Sequence, residues 1–88
     1  ESMGNLEEAI RDFTKAIELK PNYAKAYNNR GRVFESKGNP EEAIKDLIMA
    51  KGIEPKYGSK LDPIINSLRA SLDEVAAERD DEGDEERD

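Results

Sequence analysis

The 88-residue chain contains no cysteine and no histidine. Without cysteine, the chain has no disulfide framework, no thiolate zinc site and no cysteine nucleophile. Without histidine, it lacks the commonest general base and the commonest transition-metal ligand. These two absences remove most familiar catalytic centres, and the remaining residues show no nucleophile paired with a base. We therefore predict that the protein is not an enzyme and uses no metal ion or cofactor.

Long hydrophobic runs are also absent. The longest apolar stretches contain only a few residues, far fewer than the roughly 20 of a membrane-spanning helix or the core of a signal peptide. The sequence therefore predicts no membrane partner and shows no targeting signal, so the cytoplasm is the default expectation for its compartment.

The negative charge is concentrated at one end of the chain. Residues 78–88 carry a net charge of −6 out of the total of −7, so residues 1–77 are almost neutral. A polar stretch of like charge cannot bury enough apolar surface to fold, and it repels nucleic acid. We predict a disordered, solubilising acidic tail from about Glu78 and no nucleic-acid partner.

The most informative feature is an internal repeat with a period of 34 residues. When residues 1–24 are aligned with residues 35–58, 12 of the 24 positions are identical. A repeat of this length marks stacked supersecondary units that bury their apolar faces against their neighbours. Because 40% of the residues are charged and only 35% are hydrophobic, stacking rather than one large core is expected to stabilise the chain.

Hydrophobic spacing predicts a helix in each half of the first period. The first covers residues 6–20, with Asn5 as its N-cap and Pro21 ending it. The second runs from about Lys25 to Lys37 and ends at Gly38.

The third predicted helix repeats the first. Asn39 is its expected N-cap, Pro40 takes the first helical position and Glu42 completes a capping-box pair, while Pro55 ends the helix. A fourth helix follows, and its start is left open between Ser59 and the Asp62-Pro63 pair.

Residues 24–57 resemble a tetratricopeptide repeat, a 34-residue unit of two antiparallel helices with large and small residues at fixed positions. The signature positions are occupied by Tyr27, Gly31, Phe34, Ala43, Leu47 and Pro55. Arg30 stands where the family usually has leucine. The two small residues are expected where the helices approach most closely, with Ala43 beneath Gly31.

This resemblance divides the chain into four parts. Residues 1–23 match only the second helix of a unit, residues 24–57 form a complete repeat, residues 58–77 form a C-terminal capping helix, and residues 78–88 form the acidic tail. The expected fold is all-α, with antiparallel helix-turn-helix repeats stacked as an α-solenoid. Because the match begins in the middle of a unit, we expect a fragment of a longer array.

The resemblance implies a non-catalytic scaffold that binds a peptide or helix of a partner protein on the concave face lined by the first helix of each unit. The side chains of the second helix expected on this face are Lys25, Asn28, Asn29, Arg32, Glu35 and Ser36. Asparagines and cations on a rigid helix can bond to a peptide backbone and its carboxylates. A solvated helix face would show the same pattern.

Two other hypotheses concern the partner. Asn29 matches the asparagine of the dicarboxylate clamp found in chaperone-binding relatives, but the two cationic positions of the clamp's third repeat fall on Ser59 and Pro63. The clamp is therefore not predicted. The alternative to peptide binding is self-association. The apolar side of the first helix, with Ile10, Phe13 and Ile17, is expected to have no partner helix from its own unit, and a homodimer would cover it.

Overall fold

A computed structural model describes the backbone of residues 3–87 and the side chains of residues 4–74. Its described part contains four α-helices and no strand: α1 (Met3–Leu19), α2 (Ala24–Lys37), α3 (Pro40–Ile53) and α4 (Gly58–Arg87), with a 3-10 turn at Pro55–Tyr57. Each helix packs against the next along the chain. The predicted all-α repeat architecture is confirmed. None of the helices described has the length and apolar character needed to cross a membrane.

The end of α2 is fixed by a glycine. Gly38 has a φ of +88°, in the left-handed region that favours glycine. The Gly38 amide donates to the Glu35 carbonyl at 3.1 Å, and the Asn39 amide donates to the Phe34 carbonyl at 2.9 Å. These two bonds satisfy carbonyls that the helix end leaves unpaired, which is why α2 stops where the sequence predicts.

Two predicted helix caps are wrong in detail. Helix α1 begins at Met3, so Asn5 lies inside the helix instead of capping it. No proline stands among residues 1–5, so no proline stop holds the start of the helix at the asparagine. At α3, Asn39 is the N-cap residue as predicted, but its side chain makes no capping hydrogen bond, so the capping box with Glu42 does not form.

Helix α4 begins earlier than either predicted start. The 3-10 turn ends at Tyr57 and α4 follows directly at Gly58, which leaves Pro63 in its second turn. A proline there removes one backbone hydrogen bond, the one that would reach the Ser59 carbonyl. Packing offsets this loss, because Leu61 and Ile65 on either side of the proline are buried in the core.

The backbone of α4 is helical as far as Arg87, which differs from the disordered tail predicted from Glu78. The like charge of the tail favours disorder. Glutamate, alanine and arginine, which are frequent from residue 76 onward, have high helix propensity and favour continuation of the helix. The side chains from residue 75 onward lie outside the described part, so the solubilising role of the tail stays a prediction.

The core lies between α3 and α4, with α2 closing one side. Leu47 and Leu61 are fully buried at its centre. The other buried members of the cluster are Ile44, Ala50 and Ile65, with Tyr27, Tyr57, Ile64, Leu68 and Leu72 packed around them. A core this small depends on close contact between neighbouring helices.

Helices α2 and α3 approach each other closely at Gly31. A Cβ atom added there would lie 2.9 Å from Cδ2 of Leu47 and 3.1 Å from Cβ of Asp46. The need for a small residue is as predicted, and the atoms nearest to the added Cβ belong to Asp46 and Leu47. The predicted contact of Gly31 with Ala43 stays a prediction. Ala43 lies one turn earlier on α3, where it is fully buried.

We predict that Gly31→Leu lowers the free energy of unfolding by about 1 to 3 kcal/mol, because the new side chain overlaps Leu47. Gly52→Leu is the matched control, since no atom lies within 4 Å of a Cβ added at Gly52 in α3. It should leave stability unchanged or raise it by up to about 1 kcal/mol. Thermal and urea melts measure both. Equal midpoints for the two variants would mean that the helices do not meet at Gly31.

Candidate functional site

One side chain joins three helices and fixes the orientation of α2. The Arg30 guanidinium donates to Asp46 of α3 twice, from Nε to Oδ2 at 2.7 Å and from Nη2 to Oδ1 at 2.9 Å. Its Nη1 donates to Oγ1 of Thr14 on α1 at 3.0 Å. A planar guanidinium suits this two-bond geometry, whereas the leucine usual at this position would make no polar link.

The surroundings of Arg30 strengthen this link. The guanidinium carbon lies 5.5 Å from the ring centre of Tyr27 and 5.9 Å from that of Phe34, distances at which aromatic faces attract a cation. Asp46 is only 5% exposed. The hydrogen bond to Asp46 raises the pKa of Arg30 above its ordinary value, so the guanidinium stays charged. The inner side of α2 is therefore held against both neighbours.

A second ion pair fastens the far end of α2. Lys37 Nζ lies 2.8 Å from Oε2 of Glu7 on α1. This hydrogen bond, together with the positive charge of Lys37, lowers the pKa of Glu7. Because Glu7 is exposed, the pair contributes little to stability, yet it links the C-terminal end of α2 to the N-terminal part of α1.

The outer side of α2 carries the six residues predicted to bind a partner. Their spacing of three and four residues brings them into one stripe on the helix. Lys25, Arg32, Glu35 and Ser36 are exposed, and Asn28 and Asn29 are half-buried. Arg32 and Glu35 face each other at 3.5 Å in an exposed pair. We call these six residues the α2 stripe.

A groove of about 250 Å³ borders the α2 stripe. Its apolar floor is formed by Phe13 and Ala16 of α1 and Ala26 of α2, and its polar rim by Asp12, Tyr23, Lys25 and Asn29. The volume suits one or two side chains rather than a whole ligand. Of the α2 stripe, Lys25 and Asn29 line the groove and the other four residues do not.

The residues of α1 in this groove were missed by reasoning from the sequence. Phe13 fits the apolar period of α1, and for this reason the sequence predicts a packing role for it. The 34-residue repeat could have identified Asp12. It aligns Asp12 with Asp46, and on both helices the aspartate lies among small and apolar residues at helical spacing.

Asn28 has an unusual environment. Its Oδ1 is buried, and no hydrogen-bond donor reaches it from the described residues. The repeat equivalents of Ile17 and Asn28 are Lys51 and Asp62, which form an ion pair at 2.6 Å between α3 and α4. Ile17 offers no donor to Asn28, so the polar link between Lys51 and Asp62 has no equivalent between α1 and α2.

The described side chains do not bring three potential metal ligands together. The arrangement is a set of packed antiparallel helices with a polar outer stripe and a shallow groove, which defines an α-helical repeat protein. Two family models match the sequence: one described as TPR repeat over residues 2–38, and one described as tetratricopeptide repeat over residues 24–57. Together they cover residues 2–57, and the chain belongs to the tetratricopeptide repeat family.

Comparison with curated proteins and with solved structures found no match. The family is typically a non-catalytic scaffold for interactions between proteins.

We predict that Arg30→Met lowers the free energy of unfolding by about 3 kcal/mol, because it leaves the Asp46 carboxylate buried without a cation. The double variant Arg30→Met/Asp46→Leu should recover most of this loss, since no charge is then buried. Arg32→Met is the matched control: it removes an exposed pair and should cost less than about 1 kcal/mol. Urea unfolding followed by circular dichroism measures all three. A double variant no more stable than Arg30→Met would contradict the buried-charge explanation.

Proposed function

We propose that the chain is a protein-interaction scaffold that binds a segment of a partner protein along the α2 stripe. Tetratricopeptide repeats generally mediate interactions between proteins. The observation that carries the finer proposal is the groove beside the stripe, which combines an apolar floor with Lys25 and Asn29 at its rim.

The rigid support of α2 favours binding. Arg30 and Gly31 fix the inner side of the helix through Asp46 and Leu47, so the outer side chains do not have to be ordered by the partner. Preorganisation of this kind reduces the entropic cost of association. From Lys25 to Ser36 the stripe is about 16 Å long, which an extended peptide of about five residues spans.

The charges of the stripe favour an acidic segment. Lys25 is exposed and forms no ion pair with any described residue, although it lies at the rim of the groove. Arg32 is paired only with the exposed Glu35, a weak pair that a ligand carboxylate can replace. We therefore expect the bound segment to place an apolar side chain on Phe13 and a carboxylate beside Lys25.

We predict that peptides selected from a random library on the full chain contain an acidic residue next to an apolar one. Titrated into 15N-labelled protein, such a peptide should shift the amide signals of Lys25, Asn29 and Arg32. Lys25→Glu should weaken binding by about tenfold or more, because it reverses the charge that receives the carboxylate. Lys45→Glu on α3 makes the same charge change at an exposed site outside the stripe and groove, and it should leave the affinity unchanged.

Two results would contradict this proposal. Equal losses from Lys25→Glu and Lys45→Glu would mean that net charge alone attracts the peptide. Shifts confined to α3 and α4 would place the binding surface elsewhere on the molecule.

The alternative function, self-association through α1, stays a prediction. The observation behind it is the incomplete burial of the apolar residues of α1: Phe13 is only half-buried and Leu19 is 83% exposed. Sedimentation velocity at rising concentration tests it. A mass that rises with concentration in the wild-type chain, and not in Phe13→Asp, would support self-association; a constant monomer mass would exclude it.

A further inference from the structure

A second cavity lies near the N-terminal end of α2, between two turns of the chain. One turn joins α1 to α2 and the other follows α3, and the two are equivalent in the 34-residue repeat. The cavity has a volume of about 390 Å³, which is within the range of pockets that bind small molecules and side chains. We call it the turn pocket, and its lining includes Lys20, Asn22, Tyr23, Lys25, Glu54 and Tyr57.

Both turns are held by the same backbone bond. The Tyr23 amide donates to the Lys20 carbonyl at 3.0 Å, and the Tyr57 amide donates to the Glu54 carbonyl at 3.0 Å. A proline follows Lys20 and another follows Glu54, and each proline ring restricts the backbone at its position. The walls of the turn pocket are therefore preorganised, which lowers the entropic cost of binding.

The turn pocket carries an excess of positive charge. Lys20 and Lys25 are exposed and form no ion pair with the described residues. The carboxylate of Glu54 lies 3.9 Å from Nζ of Lys56, so its charge is already balanced. The Lys20 ammonium lies 4.9 Å from the ring centre of Tyr23, a contact that favours its position at the wall of the pocket. Two unbalanced cations at one pocket favour a ligand with two negative charges.

The turn pocket adjoins the groove beside the α2 stripe. Tyr23 and Lys25 line both cavities. A segment that places an apolar side chain on Phe13 can therefore continue past Lys25 into the turn pocket. The two cavities together define neighbouring places for an apolar and an anionic side chain.

A phosphate monoester suits the turn pocket better than a carboxylate does. It carries about −1.5 to −2 charge at pH 7 and has three acceptor oxygens. These oxygens are enough for the ammonium groups of Lys20 and Lys25 and for the side-chain amide of Asn22. A carboxylate brings a single charge, which balances only one of the two lysines.

We infer that the partner segment carries a phosphorylated side chain and that its phosphate binds in the turn pocket between Lys20 and Lys25. This inference rests on the proposed function, because the same segment occupies the groove, and it adds the class of partner: a phosphorylated protein. Phosphoserine and phosphotyrosine share the chemistry that the pocket recognises. Phosphorylation of the segment therefore strengthens its binding.

The test titrates acetylated pentapeptides Leu-Ala-X-Ala-Leu into the 15N-labelled full chain. The central residue X is phosphoserine, phosphotyrosine, serine or glutamate, and a leucine on each side can enter the groove whichever way the peptide runs. We expect at least one phosphopeptide to bind about tenfold more tightly than the glutamate peptide, because a second charge-assisted contact forms. That phosphopeptide should shift the amide signals of Lys20, Tyr23 and Tyr57, and the glutamate peptide should shift those of Phe13 and Asn29.

Three variants separate the turn pocket from the groove. Lys20→Gln should abolish the preference for the phosphopeptide and leave the affinity for the glutamate peptide unchanged, because Lys20 lines the turn pocket and not the groove. Lys20→Arg keeps the charge and should keep the preference. Lys15→Gln is the matched control: it removes another exposed lysine that forms no ion pair with the described residues and lines neither cavity, so it should leave the preference unchanged.

Three results would overturn the inference and leave the proposed function intact. Equal affinities for the phosphopeptides and the glutamate peptide mean that a single negative charge is enough. Equal effects of Lys20→Gln and Lys15→Gln mean that net charge alone attracts the phosphate. Inorganic phosphate that binds as tightly as a phosphopeptide means that the pocket takes a free anion and not a segment.

Other results concern the proposed function. A phosphopeptide that shifts the turn pocket alone, while the glutamate peptide does not bind, would contradict binding in the groove and leave the phosphate contact in place. No shift with any peptide at about 1 mM would contradict both proposals, since the affinity would then be too weak to matter.

Discussion

The contact that Arg30 makes with Asp46 and Thr14 fixes how α1, α2 and α3 are arranged against one another. Three helices of a small, highly charged chain meet at this one guanidinium. The hydrophobic cluster lies between α3 and α4, with Tyr27 of α2 packed against it. The Arg30 contact adds to this apolar packing of α2 and extends it to α1 through Thr14. Gly31 supports it sterically, because the close approach of α2 to α3 at Leu47 and Asp46 also brings the arginine within bonding distance of the carboxylate.

The two successive interfaces of the array use different chemistry at equivalent positions. Thr14 and Arg30 form a hydrogen bond between α1 and α2, and their equivalents 34 residues later are Ile48 and Ile64. Conversely, Lys51 and Asp62 form an ion pair between α3 and α4, where the earlier equivalents are Ile17 and Asn28. Each junction thus has a polar link that is missing at the equivalent place in the other junction. Such alternation helps to fix which helix packs on which, because a wrongly matched pair would leave an arginine or a lysine facing an isoleucine.

The 34-residue period and the ends of α2 could be predicted from the sequence, because they follow from the alignment of the chain with itself, hydrophobic spacing and a left-handed glycine. The need for a small residue at position 31 is implied by the resemblance to the tetratricopeptide repeat. The start of α1 and the start of α4 could not be predicted. Both depend on how far a helix continues where no residue stops it, which packing against the neighbouring helices decides. The α2 stripe, from Lys25 to Ser36, lies on one face of α2 and could be predicted from helical spacing. The groove beside it could not be predicted, because it is formed by residues of two helices and includes Asp12 of α1.

The central claim is that the Arg30 guanidinium is a fixed link between three helices. Side-chain 15Nε spectra of the wild-type chain test this directly, with Arg32 as the internal reference because its side chain is 51% exposed and that of Arg30 is 19% exposed. A guanidinium held by two bonds to a buried carboxylate should show an Nε–H that exchanges with water far more slowly than that of Arg32 and moves rigidly with the backbone. If the Nε–H groups of Arg30 and Arg32 exchange equally fast, the link does not form in solution and the account of the fold is wrong.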